Sequence, residues 1–183
     1  MIDNSNRDKR NGLLINITGN GKGKTSGALG IAVRALGWGW NVAMVQFIKD
    51  DTETGERRFA QNAGMNFEIC SIGAGFTWRR NASREEDIAC SQRGWGMATE
   101  YLQQNKVTDL LILDELNIVL SKNYLPLATT IQQLQQRPPW MHVIITGRNA
   151  PEPLIAVSDM VSEINEIKHP FRAGIPAQRG IDF

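Results

Sequence analysis

The run Gly19-Asn20-Gly21-Lys22-Gly23-Lys24-Thr25-Ser26 joins an apolar stretch, Leu13-Leu14-Ile15-Asn16-Ile17, to a helix-like stretch from Ala28 to Leu36. A glycine-rich string alone says little, but strand, glycine-rich loop and helix in that order build an anion site. Loop amides and the unpaired N–H groups of the first helical turn converge on one point, and the helix dipole adds positive potential there. Lys24 contributes a compact charge, and Thr25 a hydroxyl suited to a magnesium ion. The ligand this predicts is a nucleoside triphosphate, with residues 19–26 around its phosphates. The loop departs from the common pattern, because Thr18 stands where the first glycine of a full-length phosphate loop falls, leaving Gly19 to open a loop one residue shorter. A shortened loop need not hold the part of the triphosphate that a hydrolase or kinase loop holds.

The rest of the chain predicts an α/β fold. Strand-like runs at Asn41–Phe47, Phe67–Cys70, Asp109–Leu113, Trp140–Thr146 and Met160–Ile167 alternate with helix-like ones. The latter are a short helix ending near Gly64, one from the Ser83-x-x-Glu86 capping box to about Gln104, one over Tyr124–Arg137 and a short one over Pro151–Val157. On the first helix, Leu29, Val33 and Leu36 are spaced for one inward face; on the third, Ile88, Trp95, Ala98 and Leu102 are. Such alternation gives an open, mostly parallel sheet with helices on both faces, and ligands on such sheets lie beyond the carboxyl ends of the strands. At 183 residues the chain suits a single domain over 1–183, with a tail at 1–11 and an irregular segment at 168–183.

Asp114 and Glu115 follow the nearly unbroken apolar run 110–113, at the end of a strand buried on both sides. With Thr25 they form the expected metal set, although a carboxylate in that place also serves as a helix cap. Arg148, after the strand ending at Thr146, stands where phosphate binds. Phe76 and Trp78 sit two residues apart in a glycine-bordered loop; taken alone, such aromatics either anchor the loop to the core or cover a flat ligand. A net charge of +1 argues against a nucleic-acid or membrane surface held by bulk electrostatics. The polar amino terminus and the absence of a long apolar run predict a cytoplasmic protein without an anchor. Cys70 and Cys90 are expected as buried, reduced thiols, and the two histidines are too scattered for a zinc site.

Several strings together resemble the phosphate-loop family of ATP:cob(I)alamin, or corrinoid, adenosyltransferases. They are the short loop 19–25, Val45-Gln46-Phe47-Ile48-Lys49, Gly75-Phe76-Thr77-Trp78, Leu113-Asp114-Glu115-Leu116-Asn117, Thr146-Gly147-Arg148, Lys168-His169-Pro170-Phe171 and Gly180-Ile181-Asp182-Phe183. The resemblance implies a P-loop NTPase fold of RecA-like type. It also implies transfer of the 5′-deoxyadenosyl group of ATP, a co-substrate, to the cobalt(I) of a reduced corrinoid, with release of triphosphate. Cobalt then belongs to the substrate; the implied cofactor is magnesium, with manganese as a substitute. In such enzymes ATP is thought to lie reversed relative to phosphoryl-transfer enzymes. The implied catalytic residues are Lys24, Phe76 and Trp78, the last two contacting the corrinoid and displacing its lower axial ligand. The implied partners are an electron-donating reductase such as a flavodoxin and a second copy of the chain in a homodimer. Some relatives carry a longer helical segment before the first strand, whereas this chain has a short polar tail. Without the resemblance, the loop and Asp114-Glu115 fit equally a P-loop ATPase or small-molecule kinase.

Overall fold

A computed structural model describes residues 10–49, 53–62, 66–72 and 83–182. Phe76 and Trp78 lie outside these residues. The described chain runs β1 (Leu14–Thr18), α1 (Lys24–Gly37), β2 (Val42–Gln46), α2 (Gly55–Asn62), β3 (Phe67–Ser71), α3 (Arg84–Leu102), β4 (Leu110–Asp114), α4 (Leu116–Ser121), α5 (Leu127–Gln135), β5 (His142–Thr146), α6 (Glu152–Val157) and β6 (Met160–Glu163). The six strands form one sheet in the order β3-β2-β4-β5-β1-β6, and every pairing is parallel. The strand that feeds the glycine loop and the strand that ends in Asp114 are therefore separated by β5, the RecA-like arrangement.

Successive strand residues point to opposite faces, and each face has its own core. Leu14, Val45, Leu111, Leu113, Val143 and Ile145 pack with Trp95, Ala98 and Leu102 of α3, Leu116 and Leu120 of α4, Leu134 of α5 and Leu154 of α6. Ile15, Ile17, Met44, Leu110, Ile112 and Ile144 pack with Ala28, Ala32, Ala35 and Leu36 of α1. Helices thus cover both faces, which explains why the central strands are fully buried.

Four elements differ from their sequence reading. The inner face of α1 is Ala28, Ala32 and Ala35 with Leu36, while Leu29 is only half-buried and Val33 is 57% exposed. Small side chains let α1 lie close to the sheet and turn its larger residues sideways, onto the cleft described below. Tyr124–Arg137 is not one helix: Pro126 is extended (φ −67°, ψ 112°) and stands as the N-cap of α5, which runs only over Leu127–Gln135. The residues just after Asp114 form α4, placing Leu116, Val119 and Leu120 in the core at helical spacing. The last strand stops at Glu163: Ile164 still donates its N–H to Thr18 O at 2.9 Å, but its own carbonyl accepts the Gly21 N–H at 2.7 Å, and the chain leaves the sheet to wrap the glycine loop. Beyond it, Pro170–Ala173 forms one 3₁₀ turn in the otherwise irregular end. Cys70 and Cys90 are free thiols, half-buried and not buried as expected.

Candidate active site

The glycine loop follows β1 and opens α1 without a side-chain cap, so Gly23 (φ 114°) turns the chain directly into the helix. The first intrahelical bond is Gly27 N–H to Gly23 O at 2.7 Å, leaving the N–H groups of Lys24, Thr25 and Ser26 without carbonyl partners inside the helix. Residues 21–26 line an open cleft of about 730 Å³ with Lys49, Glu56, Glu115 and Arg148. Leu29, Val33 and Phe59 add an apolar flank.

Two glycines of the loop answer to protein rather than to ligand. A Cβ on Gly19 would come within 2.4 Å of Ile164 O, and one on Gly21 within 2.8 Å of the Asn165 carbonyl. The Gly21 N–H is spent on Ile164 O at 2.7 Å, so it does not join the array of free amides expected from sequence. Gly19 is buried beneath the returning chain, and Asn20 is exposed outside the cleft lining; neither joins residues 21–26 around it. Lys22 pairs with Asp182, whose backbone neighbours Gly180 and Ile181 also line the cleft. The carboxyl-terminal segment is thus the outer wall of the loop.

Lys24 is buried and donates from Nζ to Gly21 O at 2.6 Å. Burial lowers its pKa and Arg148 adds to this, against the pull of Glu115 and Asp114. Thr25 and Asp114, predicted as metal partners, meet directly: the Thr25 hydroxyl donates to Asp114 Oδ1 at 2.8 Å. The same oxygen accepts the Thr146 hydroxyl at 2.8 Å, and Thr146 Oγ1 accepts the Glu115 N–H at 3.0 Å. Glu115 takes up a left-handed backbone (φ 66°) as the first residue before α4, a conformation that costs a non-glycine residue of order 1 kcal/mol and clusters at functional sites. Its Oε2 is buried and unpaired. Burial first and Asp114 second push its pKa up to about 7, against Lys24, Lys49 and Arg148.

Sequence reasoning left Lys49, Glu56 and Gln46 out of the candidate site residues. Lys49 Nζ donates to Glu56 Oε1 at 2.9 Å and lies 3.7 Å from Asp114 Oδ2. Burial opposes the Lys49 charge, but Asp114 and Glu56 outweigh it and raise its pKa; Lys49 in turn lowers that of Glu56. Gln46 Nε2 reaches both Glu56 and Asp114 at 3.4 Å, and Gln46 Oε1 accepts the Ser71 hydroxyl at 2.7 Å. The available signal was positional: Gln46 and Lys49 stand at and just past the carboxyl end of a central parallel strand. Asn117 was likewise unsuspected. Fully buried, it exchanges two hydrogen bonds with Asn16 and donates to Gly147 O at 3.0 Å, pinning the turn that carries Arg148.

A hydroxyl and carboxylate in contact, beside an orphaned carboxylate oxygen, make a donor set that suits a hard divalent cation. Among the described residues no three His, Cys, Asp or Glu side chains group closely enough to hold a metal alone, so any such shell needs further oxygens, from water or a ligand such as phosphate. Fold and site define a protein of the phosphate-loop α/β class. The family described as ATP:corrinoid adenosyltransferase BtuR/CobO/CobP matches residues 10–183, and the chain belongs to it. It is 43% identical over 177 residues to a corrinoid adenosyltransferase of Pseudomonas aeruginosa, covering 97% of this chain and 86% of that one. The corresponding Escherichia coli K12 protein is 42% identical over 177 residues, covering 97% and 88%. Corrinoid adenosyltransferase CobA of Salmonella typhimurium is 42% identical over 172 residues, covering 94% and 86%.

Proposed function

We propose that this protein transfers the 5′-deoxyadenosyl group of ATP to the cobalt(I) of a reduced corrinoid. The carrying observation is the cluster of Lys24, Thr25, Asp114 and Glu115 at the strand ends, in a chain of the corrinoid adenosyltransferase family. The cobalt(I) electron pair attacks C5′, a cobalt–carbon bond forms, and the C5′–oxygen bond breaks with its pair leaving on triphosphate. Cobalt is the nucleophile, so the protein's work is to align C5′ and to stabilise the departing charge.

In this reading the N–H groups at 22–26 and the Lys24 ammonium hold the triphosphate, and Arg148 closes on it from the β5 turn. Gly19 and Gly21 act indirectly, by admitting the wall that shapes the loop. Thr25, Asp114 and Glu115 would hold magnesium, for which manganese could substitute, and the ion would neutralise phosphate charge. Phe76 and Trp78 contact the corrinoid and displace its lower axial ligand. We extend the proposal to one domain over 1–183, a homodimer, an electron-donating reductase such as a flavodoxin, and action in the cytoplasm. Among the described residues no helix is long and apolar enough to cross a membrane.

The test is the nucleotide product. Incubation with ATP, magnesium and a chemically reduced corrinoid is expected to yield a light-sensitive alkylcobalt species and inorganic triphosphate in equal amounts. ADP alongside unmodified corrinoid overturns the proposal.

A further inference from the structure

Lys49 stands apart from the glycine loop in the sheet, since β4 and β5 lie between β2 and β1. Its side chain nonetheless reaches the same cleft as Lys24, Thr25 and Arg148. It is held in place there. Glu56 Oε1 accepts one of its N–H groups at 2.9 Å, with side-chain exposures of 25% for Lys49 and 12% for Glu56. Gln46 Nε2 donates to the same Glu56 oxygen, at 3.4 Å. An ammonium carries three donors, and Asp114 Oδ2 at 3.7 Å is beyond hydrogen-bond length. Two Lys49 donors therefore have no acceptor among the described residues. Among the described residues the cation is thus oriented by Glu56 and left partly unspent beside a carboxylate that already binds Thr25.

We propose that Lys49 is a further catalytic residue, contacting the leaving oxygen of the triphosphate as the C5′–oxygen bond breaks, with Glu56 as its positioning residue. The proposal rests on the adenosyl-transfer reading. A phosphate tail gripped by the loop after β1 and running across the ends of β5 and β4 brings its adenosyl end towards β2. The cation nearest the departing oxygen is then Lys49, while Lys24 serves the far phosphates. Charge grows on that oxygen only as the bond breaks, so Lys49 stabilises the transition state and the free triphosphate more than it stabilises bound ATP.

The experiment compares the intact protein with Lys49→Ala, Lys49→Arg and Glu56→Gln, each checked by thermal melting. It measures kcat and KM for ATP, and the affinity for inorganic tripolyphosphate with magnesium in the absence of corrinoid. Lys49→Ala is expected to lower kcat about 100-fold with KM for ATP within threefold, and to weaken tripolyphosphate about tenfold. Lys49→Arg should recover most of the rate, and Glu56→Gln should fall between. A kcat within threefold of the parent in Lys49→Ala overturns the proposal, as does a fall in kcat with tripolyphosphate affinity unchanged, which marks a structural role. Release of ADP by the unmutated protein overturns the adenosyl-transfer reading instead, and the tripolyphosphate comparison still decides whether Lys49 meets phosphate.

Discussion

Asp109 and Asp114 lie at the two ends of β4, both fully buried, and their surroundings are opposite in kind. At the amino end, Arg10 Nη2 binds Asp109 Oδ1 at 2.7 Å, and the Asn41 N–H and Nδ2 reach Oδ2 at 2.9 and 3.3 Å. The Arg10 guanidinium lies 4.3 Å from the centre of the Trp40 ring, which stacks in turn on His142 at 5.2 Å. The charge there is closed off by a cation in contact and by an aromatic layer. At the carboxyl end, Asp114 Oδ1 is held by two neutral hydroxyls, and its nearest cation waits at 3.7 Å. Next to it sit a strained Glu115 and an unpaired carboxylate oxygen. At one end the carboxylate has a cation and two donors on it, although Arg10 Nη1 is itself buried without a hydrogen-bond partner; at the other it is a carboxylate oxygen, Glu115 Oε2, that is left unpaired, with no cation in direct contact among the described residues.

The largest expected effects separate the two aspartates. Asp114→Asn should lower turnover about 1,000-fold, with an unfolding free energy within about 1 kcal/mol of the parent. Asp109→Asn should leave kcat within a few-fold while costing about 2–3 kcal/mol in denaturant unfolding, since Arg10 loses its counter-charge. Stability losses of equal size at both positions would erase the distinction between the two ends.

Glu115 sharpens it through pH. Its folded pKa of about 7 lies above the ordinary 4.5, so the folded protein binds the extra proton more tightly. The associated stability is fully present below about pH 4.5 and is lost as pH rises through about 7. Glu115→Gln should accordingly stabilise the ligand-free protein at pH 8 by roughly 3 kcal/mol and at pH 4.5 hardly at all. Chemical unfolding across that range measures the difference, and a gain that did not depend on pH would show that the ionised carboxylate is not under strain.

A smaller effect tests the outer wall. Gly21→Ala drives a Cβ into the Asn165 backbone and should cost about 2 kcal/mol. Hydrogen exchange at residues 164–182 should rise in that variant, whereas protection around Asp109 should not change. Unchanged exchange at 164–182 would show that the loop does not depend on this wall.

The sequence exposes these features unevenly. Asp114 is legible because four apolar residues lead to it, and a carboxylate at the carboxyl end of a doubly covered parallel strand stands where ligands bind on such sheets. The core of α3 is legible for the same kind of reason, through Trp95, Ala98 and Leu102 at helical spacing, although Ile88, expected on the same face, is only half-buried. The α1 face was misjudged because size suggested Leu29 and Val33 for the core, while close packing on the sheet selects alanine. Gly19 and Gly21 read as phosphate glycines, yet the contacts that demand them come from Ile164 and Asn165, far along the chain. Lys49 and Glu56 are ordinary surface residue types, and only the meeting of β2, α2 and β4 gives them a shared place in the cleft. The left-handed backbone of Glu115 carries no residue-type signal at all.

The central claim is that carbon, not phosphorus, is attacked at the carboxyl end of this sheet. ATP carrying ¹⁸O at the 5′ bridging position, turned over with magnesium and reduced corrinoid, tests it directly. The account predicts that all of the label leaves in inorganic triphosphate; label retained on the adenosine-bearing product would contradict it.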